Sequence, residues 1–67
     1  MLSARNQLSG TVKDVTLGNV MAEVVVTVGD REIVAAITRG SAQALQIRVG
    51  DPVTVVIKST DVMIDKG

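Results

Sequence analysis

Ser3, Arg5, Lys58 and Ser59 are the residues of this chain best equipped to grip an anion. They lie in two polar strings near its opposite ends, SARNQ at residues 3–7 and IKSTDVMI at residues 57–64. Two hydroxyls, the planar donor fork of an arginine and the compact charge of a lysine make a set of donors. If the fold joins the two ends, no carboxylate stands between these groups. Such a pocket suits a tetrahedral dianion, whose four oxygens all accept hydrogen bonds. Charge-assisted bonds contribute about 1.5–3 kcal/mol each. Three or four of them reach the roughly 8 kcal/mol that micromolar binding requires. Asn6, next to Arg5, is counted with this set. Asp61 is expected to orient backbone, because a carboxylate beside a dianion would repel it.

Other chemistries are poorly served. The chain has no His, Cys or Tyr, so no ordinary base stands ready to activate a serine. Its seven carboxylates show no spacing that fits a glycosidase or a bare metal cation. The expectation is a binding protein and not an enzyme. Single-stranded nucleic acid calls for aromatic platforms and a positive groove. The chain has no aromatic residue, and seven basic residues balance seven acidic ones. No run of about eighteen apolar residues could span a bilayer, and the N-terminal string lacks the features of a signal peptide. A cytoplasmic protein without nucleic-acid or membrane partners is expected.

The elements that must position the anion set are mostly strands. Gly18-Asn19, Gly29-Asp30 and Gly50-Asp51-Pro52 read as turns between β-branched runs. Strands are expected at about 8–16, 20–28, 32–38, 53–58 and 60–64. The Gly29-Asp30 hairpin is the clearest connection. Residues 40 to 50 are Ala- and Gln-rich, and one or two helical turns fit there. Ser41 stands where an N-cap would stand, and Gly50 closes the stretch. Three strands, a short helix and two strands give an all-β, OB-like five-stranded antiparallel barrel with its helix between strands 3 and 4. Met63 and Ile64 are expected to pack in the core.

With 67 residues the chain allows one domain, spanning 1–67. So small a domain is marginal alone, and disulfides, metals or oligomerisation usually supply the deficit. Without Cys or His, oligomerisation remains. Strand patterning agrees. Ala22, Val24, Val26 and Val28 form one face of the second strand, yet the opposite face still carries Met21 and Val25. In the third strand Ile33, Ala35 and Ile37 oppose Val34, Ala36 and Thr38. In the fourth, Val53, Val55 and Ile57 oppose Thr54, Val56 and Lys58. Outer faces this apolar point to contact between subunits.

The SARNQ start and the KSTDVM end closely resemble the signatures of the molybdate-binding Mop domain, and the chain looks like a molbindin, the single-domain form of that family. GNVMAEVVV at 18–26 and ITRGSAQAL at 37–45 extend the resemblance over nearly the whole length. It implies molybdate or tungstate as ligand, bound at subunit interfaces of a hexamer built as a trimer of dimers. It assigns a first oxyanion site to Ser3, Ala4, Arg5, Lys58 and Ser59, the two strings coming from different subunits. Ser59 stands where many family members have Ala, and its hydroxyl adds a donor. A second site is implied, for which Val20, Gly40 and Ser41 are the candidates. At Ser41 two readings stand level: backbone N–H groups facing an anion, or a plain helix cap. Met21 departs from the polar Asn often found at its position. Storage or homeostasis of the oxyanion follows as the expected role, and a sensing or regulatory subunit is the alternative.

Overall fold

The computed structural model describes residues 5–67. Its framework is one antiparallel sheet built around a single long strand. β1 (Asn6–Leu17) pairs with β4 (Pro52–Ile57) along its first half and with β2 (Met21–Val28) along its second. β3 (Arg31–Thr38) pairs with β2, so the order across the sheet is β3-β2-β1-β4. A short helix, α1 (Arg39–Ala44), lies between β3 and β4, as an OB-like fold requires.

The change of partner along β1 has a local cause. Thr11 is the last residue paired with β4 and the first paired with β2. Immediately beyond, the register slips between Val12 and Asp14, leaving Lys13 as a bulge. A bulge bends its strand and sharpens the twist. Val12 here turns its backbone to the loop before β4, donating to the Asp51 carbonyl (2.9 Å) and accepting from Gly50 N–H (2.8 Å). Gly10 permits the approach. A Cβ there would stand 2.6 Å from the Thr27 carbonyl oxygen and 2.7 Å from a Val26 methyl.

The core follows the alternation of the strands. Val12, Val24 and Val26 form its buried centre, with Val15, Ile37, Val53 and Val55 half-buried against it. Ala22 and Ala42 are also buried, and no polar side chain among the described residues is. Ile33, Ala35 and Ile37 face inward from β3, and Val53, Val55 and Ile57 from β4. The expected faces are therefore the observed ones. The Gly29-Asp30 hairpin also forms, with Val28 paired to Arg31 and Gly29 at a φ of 60°.

Three expectations are corrected. Residues 60–64 form no fifth strand. After Ile57 the chain enters a 3₁₀ turn, η1 (Ser59–Asp61), closed by the Asp61 N–H on the Lys58 carbonyl at 2.9 Å. This turn carries the chain away from β4, and β3 and β4 remain the open edges of the sheet. Second, Met63 and Ile64 are not core residues, being 93% and 88% exposed. Third, the helix begins and ends elsewhere than expected. Its N-cap is Thr38 and not Ser41. It closes at Gln46 and not at Gly50. The N–H groups of Gln46 and Ile47 bond the carbonyls of Gln43 (3.0 Å) and Ala42 (3.2 Å), and Gln46 sits at a φ of 54°. That is the double bond pattern of a Schellman ending, with glutamine where glycine is usual. Gly50, at a φ of 94°, serves the following turn.

Candidate functional site

The β1–β4 ladder brings the two polar strings together within one chain, whereas the resemblance implied that different subunits supply them. Asn6 is the register partner of Ile57, and the pairing runs to Thr11 opposite Pro52. The residues next outward from the Asn6–Ile57 pair are Arg5 on one strand end and Lys58 on the other. The ladder ends at Asn6–Ile57, and just beyond it Arg5 lies in a bend and Lys58 is extended as the N-cap of η1. Both side chains are exposed. The ion pairs among the described residues are Lys13 with Glu32 and Arg31 with Asp30, so neither cation of the rung has a carboxylate partner there. Like charges directly opposed across a ladder destabilise it.

Ser59 follows Lys58 in the first position of η1, and Asn6 opens β1 as a half-buried residue. The Lys58 side chain makes no capping bond. Asp61 occupies the same turn without an ion pair to Lys58. Ser3 and Ala4 lie outside the described residues.

The other candidate residues gather at the opposite end of β1. Gly18 N–H bonds the Met21 carbonyl at 2.8 Å, closing the turn into β2. This turn is tied to the start of α1 twice. Arg39 N–H donates to the Val20 carbonyl (2.8 Å), and the Arg39 guanidinium donates to the Gly18 carbonyl (3.0 Å). Val20, Gly40 and Ser41 therefore do come into one region. Ser41, however, is engaged: its N–H donates to Thr38 Oγ1 (3.0 Å), and the Thr38 hydroxyl donates to Ser41 Oγ (2.7 Å). Sequence reasoning missed Thr38 and Arg39. The signal for Thr38 was available, since a threonine three residues before a serine at a strand-to-helix junction is a natural N-cap. Nothing in the sequence pattern marks the reach of Arg39 to Gly18.

Among the described residues no group of three or more His, Cys, Asp or Glu side chains could hold a metal ion. An OB-like sheet carrying an exposed pair of cations at one strand end defines a small binding module. Residues 2–64 match the family model described as the TOBE domain, and the chain belongs to that family. Its relatives include molybdenum-pterin-binding proteins 1 and 3 of Clostridium pasteurianum, 45% and 47% identical over 64 residues that make up 94% of either chain. The molybdenum transport protein ModE of Herbaspirillum seropedicae is 40% identical over 63 residues, 92% of this chain but 23% of that protein. Among solved structures, a molybdate-binding protein from Sporomusa ovata superposes with a TM-score of 0.95 at 41% identity, covering 98% of both chains. MopII from C. pasteurianum, in an apo form, gives 0.90 at 45% identity, covering 96% of this chain and 97% of that one. The clostridial proteins and the two solved structures match over nearly their full length, and the clostridial and Sporomusa proteins are named as binding proteins.

Proposed function

We propose that this chain, a single Mop-type domain over residues 1–67, binds molybdate or tungstate and stores or buffers it in the cytoplasm, without catalysing a reaction. The observation that carries the reading is the uncompensated Arg5–Lys58 rung set up by the pairing of Asn6 with Ile57. The names of the relatives supply the oxyanion. Ser3, Ala4, Arg5, Asn6, Lys58 and Ser59 are the residues assigned to this site. A second oxyanion position at Val20, Gly40 and Ser41 belongs to the same proposal, and it must compete with the Thr38 contacts for the donors of Ser41.

The working form is a homo-oligomer, read as a hexamer assembled from dimers. Two features support association. β3 and β4 leave both sheet edges unpaired, and between them opens a groove of about 220 Å³ lined by Ala35, Ile37, Leu45, Ile47, Val53 and Val55. Val62, Met63 and Ile64 meanwhile stand exposed beyond η1. A second copy is the partner that satisfies both. Burying apolar surface is worth about 25 cal/mol per Å², and a domain with five buried apolar residues needs that addition.

Calorimetric titration with molybdate, tungstate, sulfate and phosphate tests the binding. Molybdate and tungstate should bind and sulfate should not compete. Protonated phosphate brings O–H donors that the Arg5 and Lys58 cations cannot accept, and each one left unpaired costs about 1–3 kcal/mol. Arg5→Ala and Lys58→Ala should each weaken binding at least tenfold, about 1.4 kcal/mol. Intact binding in either variant removes that residue from the site. Sedimentation at micromolar concentration tests assembly, and a stable compact monomer would defeat it. A regulatory role is the second reading, favoured by the matching region of ModE, which forms a minor part of a longer protein. Capture of a protein partner only when molybdate is present would support it.

A further inference from the structure

We infer that the Arg5–Lys58 rung selects its ligand by counting charge, accepting tetrahedral dianions and rejecting monoanions of the same shape. This rests on the oxyanion reading above and adds to it the property by which the site discriminates. Shape alone separates large oxyanions from sulfate. It does not separate tungstate from perrhenate. Both are tetrahedral, both carry four terminal oxygens, both are unprotonated at neutral pH, and they differ by one unit of charge.

Three features give the rung this role. Arg5 and Lys58 are neighbours across the ladder end, since Asn6 and Ile57 are its last pair. Neither has an ion-pair partner among the described residues. The whole chain is neutral in sum, with seven basic and seven acidic residues including Arg5 and Lys58, so attraction for an anion must come from the rung and not from an overall positive field. At physiological ionic strength screening confines electrostatic interactions to about 8 Å. The nearest charges then decide, and these are the two opposed cations. A dianion cancels both and removes their repulsion. A monoanion leaves one cation unmatched, so it gains less attraction and relieves less repulsion. Asp61, in the turn after Lys58, makes no ion pair with it, so both cations stay available to a ligand while its negative charge weakens every anion at the rung.

The test is a titration of the assembled protein with sodium tungstate and sodium perrhenate. The native protein should prefer tungstate by at least a hundredfold. Lys58→Gln and Arg5→Gln each remove one charge at an exposed position while keeping a polar side chain. Each should narrow the preference at least tenfold, mainly through loss of tungstate affinity. Arg48→Gln, a cation outside the rung, should leave the preference unchanged. Perrhenate binding within tenfold of tungstate in the native protein would overturn the inference. So would an unchanged preference in both rung variants that still bind tungstate. Absence of tungstate binding by the native protein would overturn the oxyanion reading itself, a different outcome read from the same titration.

Discussion

At the start of β1 the last pair of the ladder is followed by two cations, neither of which has an ion-pair partner among the described residues; at the end of β1 a guanidinium and a backbone N–H tie one turn to one helix, whose first turn is capped through a second N–H and two hydroxyls. Arg5 and Lys58 represent the first arrangement. Gly18, Val20, Thr38, Arg39 and Ser41 represent the second. The difference is between cations left without an ion pair and polar groups matched inside the chain. A polar group whose capacity is met inside the chain stabilises the fold, and one left with like charge opposite it costs the fold something until a ligand arrives. Both strand ends were candidates for anion binding on residue type. Their hydrogen bonding makes the first the better prepared.

The largest effect should come from the residue that links the two ends. Gly10 lies where β1 leaves β4 for β2. Gly10→Val forces a branched side chain against the Thr27 carbonyl and the Val26 methyl, each already under 3 Å from a single Cβ. Overpacking of this kind costs about 1–3 kcal/mol, occasionally more. Chemical denaturation should show a loss in that range, and the Arg5–Lys58 rung should lose anion affinity with it. Unchanged stability would mean that β1 bends without needing the glycine.

The two ends were unequally legible in the sequence. The rung came from residue types: Arg and Lys in two strings that needed only an antiparallel pairing to meet. Strand faces were legible too, because alternation in β2, β3 and β4 follows directly from their Val, Ile and Thr spacing. What escaped was whatever depended on a few local bonds. Thr38 outcompeted Ser41 as the cap because the helix starts one turn earlier than its Ala-rich stretch. Gln46 took the left-handed position that glycine normally fills, so Gly50 was mistaken for the helix end. The apolar string after Lys58 has strand composition, but the η1 turn precedes it and it joins neither open edge of its own sheet. Composition reports an appetite for burial and not which molecule satisfies it.

Thr38→Ala sharpens the comparison at the scaffold end. It removes the acceptor for Ser41 N–H and the hydroxyl contact with Ser41 Oγ. Loss of an N-cap costs about 1 kcal/mol. Thermal melting should fall accordingly, while tungstate affinity at the Arg5–Lys58 rung stays within twofold. A loss of rung affinity as large as that in Lys58→Ala would show that the two ends are not independent. If instead Thr38→Ala raises the number of anions bound per chain, the freed donors of Ser41 belong to a second site.

Gln46→Gly should act in the opposite direction and more weakly. Gln46 pays left-handed strain of about 1 kcal/mol that glycine avoids. Glycine loses more backbone freedom on folding, which offsets part of the gain. A net stabilisation of about 0.5 kcal/mol is expected by urea denaturation. No gain, or a loss, would mean that the Gln46 side chain makes a contribution that balances its strain.

The smallest effect belongs to a cation that is matched, the counterpart of the two that are not. Lys13, projected by the β1 bulge, reaches across β2 to bond and ion-pair with Glu32 on β3. The hydrogen bond to Glu32, followed by the charge of Glu32, raises the Lys13 pKa above the ordinary lysine value of 10.5. Because the folded value is the higher one, the folded chain holds this proton more tightly than the unfolded chain does. The pair's contribution is therefore full below the ordinary lysine value and disappears as pH rises through the raised one. Both side chains are about half exposed, so solvent screens the pair and the contribution is small. Melting temperatures of the native protein and Lys13→Met should differ slightly from pH 7 to 9 and converge above pH 10.5. Addition of 1 M salt at pH 7 should shrink the same difference, since at that concentration screening reaches about 3 Å. Anion binding by Lys13→Met should match that of the native protein, because a lysine already held by a carboxylate offers an oxyanion little. A gap that persists at high pH and high salt would assign the role of Lys13 to the packing of its aliphatic stem over β2.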